Sequence, residues 1–175
     1  SFKKTFVKTN IKKYMNLPYN KINNNYPLYF LTVTGYYHFL LEELPALLYA
    51  YEHNKNIKII VRNDSVPKYL YQALEIIFGK EYYKKLIYTE KNLSLNEVIL
   101  TQKPERPGFV YSGDINILKK YLDINSKKQN NSKVYISRRY TKNRQYDREV
   151  ELENFLKDNG FEILYLEKIP LKEQI

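Results

Sequence analysis

Hydrophobic and polar residues follow each other in blocks that predict alternating strands and helices. Apolar runs bounded by polar residues predict strands at residues 26–35, 56–63, 85–90 and 95–100. Apolar residues at helical spacing predict helices at residues 36–53, 65–80 and 114–124. In the second helix Ser65 is the expected N-cap and Gly79 the stop, and Asp114 is expected to cap the third. Strands that alternate with helices are typical of an α/β fold, in which a parallel sheet has helices on both faces.

A polar stretch without apolar side chains, residues 125–133, interrupts this pattern. After it the pattern starts again, with a strand, a helix, a strand and the beginning of a helix at residues 133–140, 147–160, 161–167 and 170–175. We therefore predict an N-terminal α/β domain over residues 1–126, a linker over 127–132 and the incomplete start of a second α/β domain over 133–175.

The helix at residues 36–53 carries charged side chains beside an apolar stripe. The predicted buried stripe consists of Tyr37, Leu40, Leu41, Leu44, Leu47, Leu48 and Tyr51. His38 and Glu42 lie off this stripe and are four residues apart, so their side chains share one face of the helix. Glu43 is expected to point into solvent, and His53 suits the negative end of the helix dipole.

Pro45 predicts that this helix kinks or begins anew between Leu41 and Leu44. Proline lacks an N–H, and its ring clashes with the carbonyl four residues earlier. A kinked helix start directly after the carboxyl end of a strand is where α/β sheets bind ligands. We therefore expect His38 and Glu42 to face a cleft as a base and a residue that orients it. The alternative is a surface ion pair without a function.

A second group of charged residues lies within residues 135–153. Arg138 and Arg139 follow a predicted strand, and Arg144 lies in the loop after it. Adjacent arginines at the end of a strand, beside a helix N-terminus, can hold the oxygens of a pyrophosphate. The alternative is that they pair with the acidic first turns of the next helix. The helix dipole is a sufficient reason for the acidic residues there, which are Glu149, Glu151 and Glu153.

Composition and charge narrow the function further. The formal net charge of +10 comes from lysines spread along the chain, which disfavours nucleic acid and suits anionic lipid or a nucleotide diphosphate. With two His, no Cys and no Asp-x-Asp pair, the chain lacks the usual ligand spacing for zinc or a divalent cation. We therefore expect neither a metal nor a cofactor. Five glycines are too few and wrongly placed for a G-x-G-x-x-G motif, and no apolar run of 18 residues predicts a membrane span.

Two segments resemble glycosyltransferase family 61. The first, "YYHFLLEELPALL", fits the family's pattern H-F-hydrophobic-x-E/D-x-x-P through His38, Phe39, Glu42 and Pro45. From residue 133 onward the chain fits the patterns Y-I-S-R-R, R-x-hydrophobic-x-N-E-x-E-L, G-F and K/E-Q. The residues that fit are Tyr135 to Arg139, Arg144, Glu149, Glu151, Leu152, Gly160, Phe161 and Gln174. Arg148 departs from the pattern, because the family usually has Asn there.

The resemblance implies a GT-B architecture of two Rossmann-like domains. It also implies an inverting, metal-independent transfer of a sugar from a nucleotide sugar to a hydroxyl of a glycan or glycolipid, in the synthesis of capsule or other surface polysaccharide. Glu42 is then the expected catalytic base and His38 orients it or the acceptor, with the reverse roles left open. Arg138, Arg139 and Arg144 are expected to bind the departing diphosphate, with Glu149 as a further substrate-binding residue.

The family's H-G-A-G-L motif would follow the last residue, so we expect the chain to be a fragment with an incomplete donor site. We expect a cytoplasmic enzyme with peripheral contact to the inner membrane, and a secretory location stays open. The alternative function is a non-catalytic module that binds carbohydrate or nucleotide, or a basic α/β module that binds nucleic acid. Nucleic-acid binding predicts a steep loss of affinity with salt.

Overall fold

The computed structural model describes most of the chain between residues 19 and 174. The described residues are 19–22, 24–32, 35–62, 66–89, 92–95, 98–101, 110–122, 124, 133–141 and 145–174. The predicted linker, the N-cap Ser65 and the candidate Arg144 lie outside them.

Strands and helices alternate along the described residues. The strands are β1 (Tyr19–Ile22), β2 (Leu28–Leu31), β3 (Lys58–Arg62), β4 (Leu86–Thr89), β5 (Asn92–Leu95), β6 (Val98–Ile99), β7 (Lys133–Ile136) and β8 (Phe161–Leu164). The α-helices are α1 (Tyr36–His38), α2 (Leu44–His53), α3 (Lys68–Phe78), α4 (Ser112–Leu122), α5 (Glu149–Asp158) and α6 (Leu171–Gln174). A π-helical turn, Phe39–Glu43, joins α1 to α2, and 3-10 turns lie at Tyr82–Lys85 and Leu166–Lys168.

The largest sheet within the described residues has the strand order β4-β3-β2-β6, and all its neighbours are parallel. β1 pairs with β5 and β7 with β8, again in parallel. Helices connect the parallel strands, since α1 and α2 lead from β2 to β3 and α3 leads from β3 to β4. This confirms the predicted α/β fold with a parallel sheet.

One face of the main sheet forms a core with the helices. Tyr29 and Leu31 of β2 and Ile59 and Val61 of β3 alternate along their strands and pack in one apolar cluster with α2, α3 and α4. Each fully buried Leu or Ile in this cluster contributes roughly 1.5–3 kcal/mol of transfer free energy. The opposite face is covered at its centre as well, because Leu28 and Ile60 have no exposed surface.

The helix of residues 36–53 begins anew at Leu44, as Pro45 predicts. The N–H of Leu44 donates to the carbonyl of Phe39, five residues back, and Pro45 then lies in the first turn of α2. A proline is tolerated in the first turn of an α-helix, where its missing N–H and fixed φ cost little. Before the helix, Gly35 has φ 148°, a conformation that residues with a Cβ rarely adopt.

The π turn also shifts which side chains of this helix are buried. Tyr37, predicted to be buried, is 45% exposed, whereas Phe39 and Glu43 are buried. The extra residue in the π turn rotates the side chains that precede the turn relative to those of α2. The stripe predicted with a regular period of 3.6 residues was therefore wrong at its start. Leu44, Leu47 and Leu48 are fully buried, as predicted.

Other element boundaries differ from the predictions in smaller ways. α3 begins at Lys68, with Pro67 at its N-cap position, and ends at Gly79 as predicted. The prediction that Asp114 caps α4 was wrong, because α4 begins at Ser112. The Asp114 carboxylate instead accepts a hydrogen bond from the N–H of Tyr111. Of the strand predicted at 95–100, Val98–Ile99 form β6, while Leu95 is the last residue of β5, which begins at Asn92.

The last described helix packs on the core of the main sheet. Leu171 of α6 is fully buried in the same cluster as the side chains of β2 and β3, and its N–H donates to the side-chain carbonyl of Gln72 in α3. Residues 171–174 therefore lie against the helices of the first half of the chain. The predicted domain boundaries stay a prediction.

Candidate functional site

His38 and Glu42 lie side by side at the carboxyl end of β2. Nδ1 of His38 is 2.9 Å from Oε1 of Glu42, and the His38 side chain is 42% exposed whereas that of Glu42 is 13% exposed. An ionised carboxylate can only accept, so this contact fixes the proton on Nδ1 and leaves the lone pair of a neutral ring on Nε2. The edge of the Tyr37 ring packs against the imidazole. The arrangement is a half-exposed imidazole that a carboxylate orients.

Glu43 is buried, and its predicted exposure to solvent was wrong. It is 2% exposed, and its two carboxylate oxygens accept from the N–H and the hydroxyl of Thr32, at 3.1 Å and 2.9 Å. Burial, and after it the negative charge of Glu43, raises the pKa of Tyr29 far above its ordinary value. Glu43 thus ties the π turn to the end of β2. Its spacing from Phe39 and Leu47, four residues in each direction, was the sequence signal for this burial.

Two buried glutamates of α5 accept hydrogen bonds from the loop after β7. Oε1 of Glu149 accepts from the N–H of Arg138 at 2.8 Å and from the Tyr135 hydroxyl at 3.0 Å. The Ser137 hydroxyl is 3.0 Å from the same oxygen and 2.6 Å from Oε1 of Glu153. Ser137, Glu149 and Glu153 are all buried.

Both of these carboxylates are held in the ionised form. The backbone hydrogen bond from Arg138, with those from Ser137 and Tyr135, lowers the pKa of Glu149 against the opposing effect of burial. For Glu153 burial is the largest influence and opposes ionisation. The hydrogen bonds from Ser137 and Tyr165 and the charge of Arg139 together outweigh it and lower the pKa.

Arg138 and Arg139 follow β7, and both are exposed. Nη1 of Arg139 is 3.4 Å from Oε2 of Glu153, so this arginine pairs with α5, as the alternative in the sequence analysis expected. Within the described residues, the guanidinium of Arg138 makes no hydrogen bond or ion pair, and it is exposed. Glu149, a predicted substrate-binding residue, contacts the backbone of the loop that carries both arginines.

Lys168 and Arg139 both lie against the ring of Tyr140. The Lys168 ammonium lies 3.4 Å from the centroid of that ring, and the Cζ of Arg139 lies 5.7 Å from the same centroid. The Tyr140 ring packs edge-on against Tyr165, whose hydroxyl donates to Oε2 of Glu153 at 2.9 Å. Sequence reasoning missed Lys168, because no local pattern connects a lysine after β8 with the loop after β7.

Gln174, matched above by a family pattern, contacts the start of the helix that carries His38. The Tyr36 hydroxyl donates to Oε1 of Gln174 at 2.7 Å, and Nε2 of Gln174 donates to the carbonyls of Leu166 and Ile169 at 2.9 Å and 2.6 Å. Tyr36 also packs edge-on against Tyr69 of α3. Gln174 therefore connects the segment after β8 to Tyr36, which lies two residues before His38 in the chain.

The predicted site residues form two groups. His38 contacts Glu42, while Arg138, Arg139 and Glu149 gather at the loop after β7; no hydrogen bond or ion pair between described residues joins His38 to either arginine. In the part of the chain that the structure describes, no three His, Asp or Glu side chains are placed to hold a metal ion. Every helix described there is too short or too polar to cross a bilayer.

Comparison with protein families gives a match that covers both groups. A family model described as Glycosyltransferase 61 matches residues 36–175, from the residue before Tyr37 to the end of the chain. Comparison with curated proteins and with solved structures gives no match.

Proposed function

Because the chain belongs to glycosyltransferase family 61, we propose that it transfers a sugar from a nucleotide sugar to a hydroxyl of a glycan or glycolipid, with inversion and without a metal ion. Membership confirms the resemblance inferred from the motifs and implies glycosyltransferase activity, and it suggests a nucleotide-sugar donor and a glycan acceptor. The observation that supports the mechanism best is the contact of 2.9 Å between His38 and Glu42 at the carboxyl end of a parallel strand.

His38 is the base in this proposal, and Glu42 orients it. The imidazole is the more exposed partner, and its protonated Nδ1 faces the carboxylate. Nε2 takes the proton of the acceptor hydroxyl while the acceptor oxygen forms a bond to the anomeric carbon. The bond from that carbon to the donor phosphate breaks on the opposite face, which inverts the configuration. Glu42 stabilises the imidazolium that forms, so the roles are the reverse of those we preferred from sequence.

Cationic side chains neutralise the departing diphosphate in this proposal. Arg138 and Arg139 extend from a loop whose backbone is fixed by Glu149 and Ser137. A fixed loop lets the cations act without reorganisation as negative charge develops on the leaving group. Glu149 is thus a positioning residue for the substrate-binding arginines, and Arg144 is assigned to the same group from its place in the family pattern.

The remaining features of the proposal come from the family assignment and the charge. We assign a GT-B arrangement, with the parallel sheet of β2, β3, β4 and β6 on the acceptor side and β7, β8 and α5 as the start of the donor side. The product is a surface polysaccharide such as capsule, or a glycoconjugate. A net charge of +10 suits an enzyme at the inner face of an anionic membrane, where a glycolipid acceptor would be found.

Sugar transfer by the full-length protein tests this function. Nucleotide-sugar donors are screened against glycan and glycolipid acceptors in the presence of EDTA, with His38→Ala, Glu42→Gln and Arg138→Ala beside the wild type. His53→Ala is the matched control, since His53 is exposed at the far end of the same helix.

We expect transfer in EDTA, loss of at least about 100-fold in kcat for His38→Ala, a smaller loss for Glu42→Gln and no change for His53→Ala. Loss of transfer in EDTA that added Mn²⁺ or Mg²⁺ restores would refute metal independence. If the wild type binds a nucleotide sugar and never turns it over, the chain is a binding module instead.

A further inference from the structure

Lys168 lies beside the loop after β7, residues 137–141, which we call the arginine loop because it carries Arg138 and Arg139. The 3-10 turn Leu166–Lys168 follows β8, and the N–H of Lys168 donates to the carbonyl of Tyr165 at 2.9 Å. This turn directs the lysine back over the loop after β7, where its ammonium lies 3.4 Å from the centre of the Tyr140 ring and 5.2 Å from that of Tyr165. The ammonium is therefore located by two aromatic rings, while Lys168 itself stays exposed.

An aromatic face is a good support for a cation that must bind an anion. The ring attracts the ammonium electrostatically and restricts its motion, but it accepts no conventional hydrogen bond and adds no net charge. Within the described residues Lys168 makes no ion pair, and the residue is exposed, so its charge is available to an anion from solvent. Tyr140 is itself 47% exposed, which leaves room for a ligand beside the ring.

The charges around this ring favour an anion. Arg139 lies against the same Tyr140 ring, and Arg138 is its neighbour in the chain. Among the described residues, the carboxylate that pairs with Arg139 is that of Glu153, which is almost fully buried and accepts hydrogen bonds from Ser137 and Tyr165. Oε2 of Glu153 offsets part of the charge of Arg139, whereas Lys168 has no carboxylate partner within the described residues.

We propose that Lys168 and Arg139, arranged around Tyr140, form a binding site for a diphosphate group. Two cations beside one ring match the two phosphoryl groups, with Arg139 presenting a planar fork and Lys168 a compact charge. The identification of this group as the diphosphate of the donor rests on the proposed function. Lys168 is the part of the site that neither the motifs nor the family pattern contained.

Binding of inorganic pyrophosphate to the full-length protein, measured by titration calorimetry at low salt without a metal, tests the site. Lys168→Met removes the charge and keeps an apolar stem, and Lys172→Met is the matched control from an exposed lysine of the same segment. We expect the Kd to rise about tenfold for Lys168→Met, as for loss of a charge-assisted hydrogen bond, and to stay within about twofold for Lys172→Met. Lys168→Arg should keep most of the affinity.

Tyr140→Leu tests whether binding depends on the position of the Lys168 ammonium over the ring or only on the positive charge of this surface. It leaves every charge in place, and we expect it to weaken pyrophosphate binding several-fold because Lys168 loses its support. Thermal unfolding of each variant checks that the chain is folded. The proposal is refuted if the wild type does not bind pyrophosphate, if Lys168→Met binds it as the wild type does, or if Lys172→Met loses as much affinity.

Failure of the diphosphate site and failure of the proposed transferase give different results. If pyrophosphate binding depends on Lys168 but no nucleotide sugar is turned over, the diphosphate site stands and the transferase mechanism does not. If transfer is observed and Lys168→Met has the wild-type KM for the donor, the transferase stands and this site does not.

Discussion

Replacing Glu149 with alanine tests why an acidic residue begins α5. The sequence offers the helix dipole as a sufficient reason, and the structure offers another, since Oε1 of Glu149 accepts from the N–H of Arg138 and the hydroxyl of Tyr135. Glu151 lies in the same first turn, is exposed, and pairs only with Arg148 among described residues. Glu149→Ala and Glu151→Ala therefore remove the same charge from the same helix end and differ in the hydrogen bonds that they break.

The two explanations predict different magnitudes. A charge in the first turn stabilises a helix by roughly 0.3–1 kcal/mol through the dipole. A buried donor that loses its acceptor costs about 1–3 kcal/mol, and a hydrogen bond to a charged group contributes about 1.5–3 kcal/mol. Glu149 is 5% exposed, so its carboxylate and the hydrogen bonds that it accepts are largely shielded from water. We expect Glu149→Ala to lower the free energy of unfolding by roughly 2–4 kcal/mol, and Glu151→Ala to lower it by less than about 1 kcal/mol.

Urea unfolding of the full-length protein, followed by circular dichroism, measures both values. Glu149→Gln should fall between alanine and the wild type, because its side-chain carbonyl can still accept from Arg138 without the charge. Equal losses below about 1 kcal/mol for both alanine variants would mean that the dipole alone explains the acidic turn. The role assigned to Glu149 in fixing the arginine loop would then be withdrawn.

Three further predictions concern stability. Glu43→Ala should lower the free energy of unfolding by about 1–3 kcal/mol, because the hydrogen bonds from the N–H and the hydroxyl of Thr32 to a charged, buried carboxylate are lost, and thermal unfolding against Glu42→Gln measures this. Leu171→Ala should cost about 2–5 kcal/mol in the same assay, with Lys172→Ala near zero, if α6 completes the core; a neutral Leu171→Ala would contradict that packing. The pKa values of Glu149 and Glu153 are lowered in the folded state, so their contribution to stability is present above the unfolded pKa near 4.3 and is lost as the pH falls through the lower folded values. Urea midpoints from pH 7 to pH 3 should fall most steeply at the acid end, and less steeply in Glu149→Gln/Glu153→Gln; parallel curves would refute this linkage.

The sequence determined the features that depend on residues close to one another along the chain. Periodicity in apolar residues gave the order of strands and helices, because burial of one face repeats with the period of each element. The contact between His38 and Glu42 followed from their spacing of four residues, which places two side chains on one helix face. The arginines after β7 and the restart at Pro45 were local in the same sense.

Only the tertiary structure decided the contacts that join distant segments. The π turn buried Glu43 and exposed Tyr37, since one extra residue rotates a helix face and its position depends on how the helix packs on β2. Lys168 reached Tyr140 because β7 and β8 are neighbours in one sheet, and Gln174 reached Tyr36 because α6 packs on α3. Such contacts depend on which strands pair and which helices touch, and the spacing of residues within one element does not contain that information.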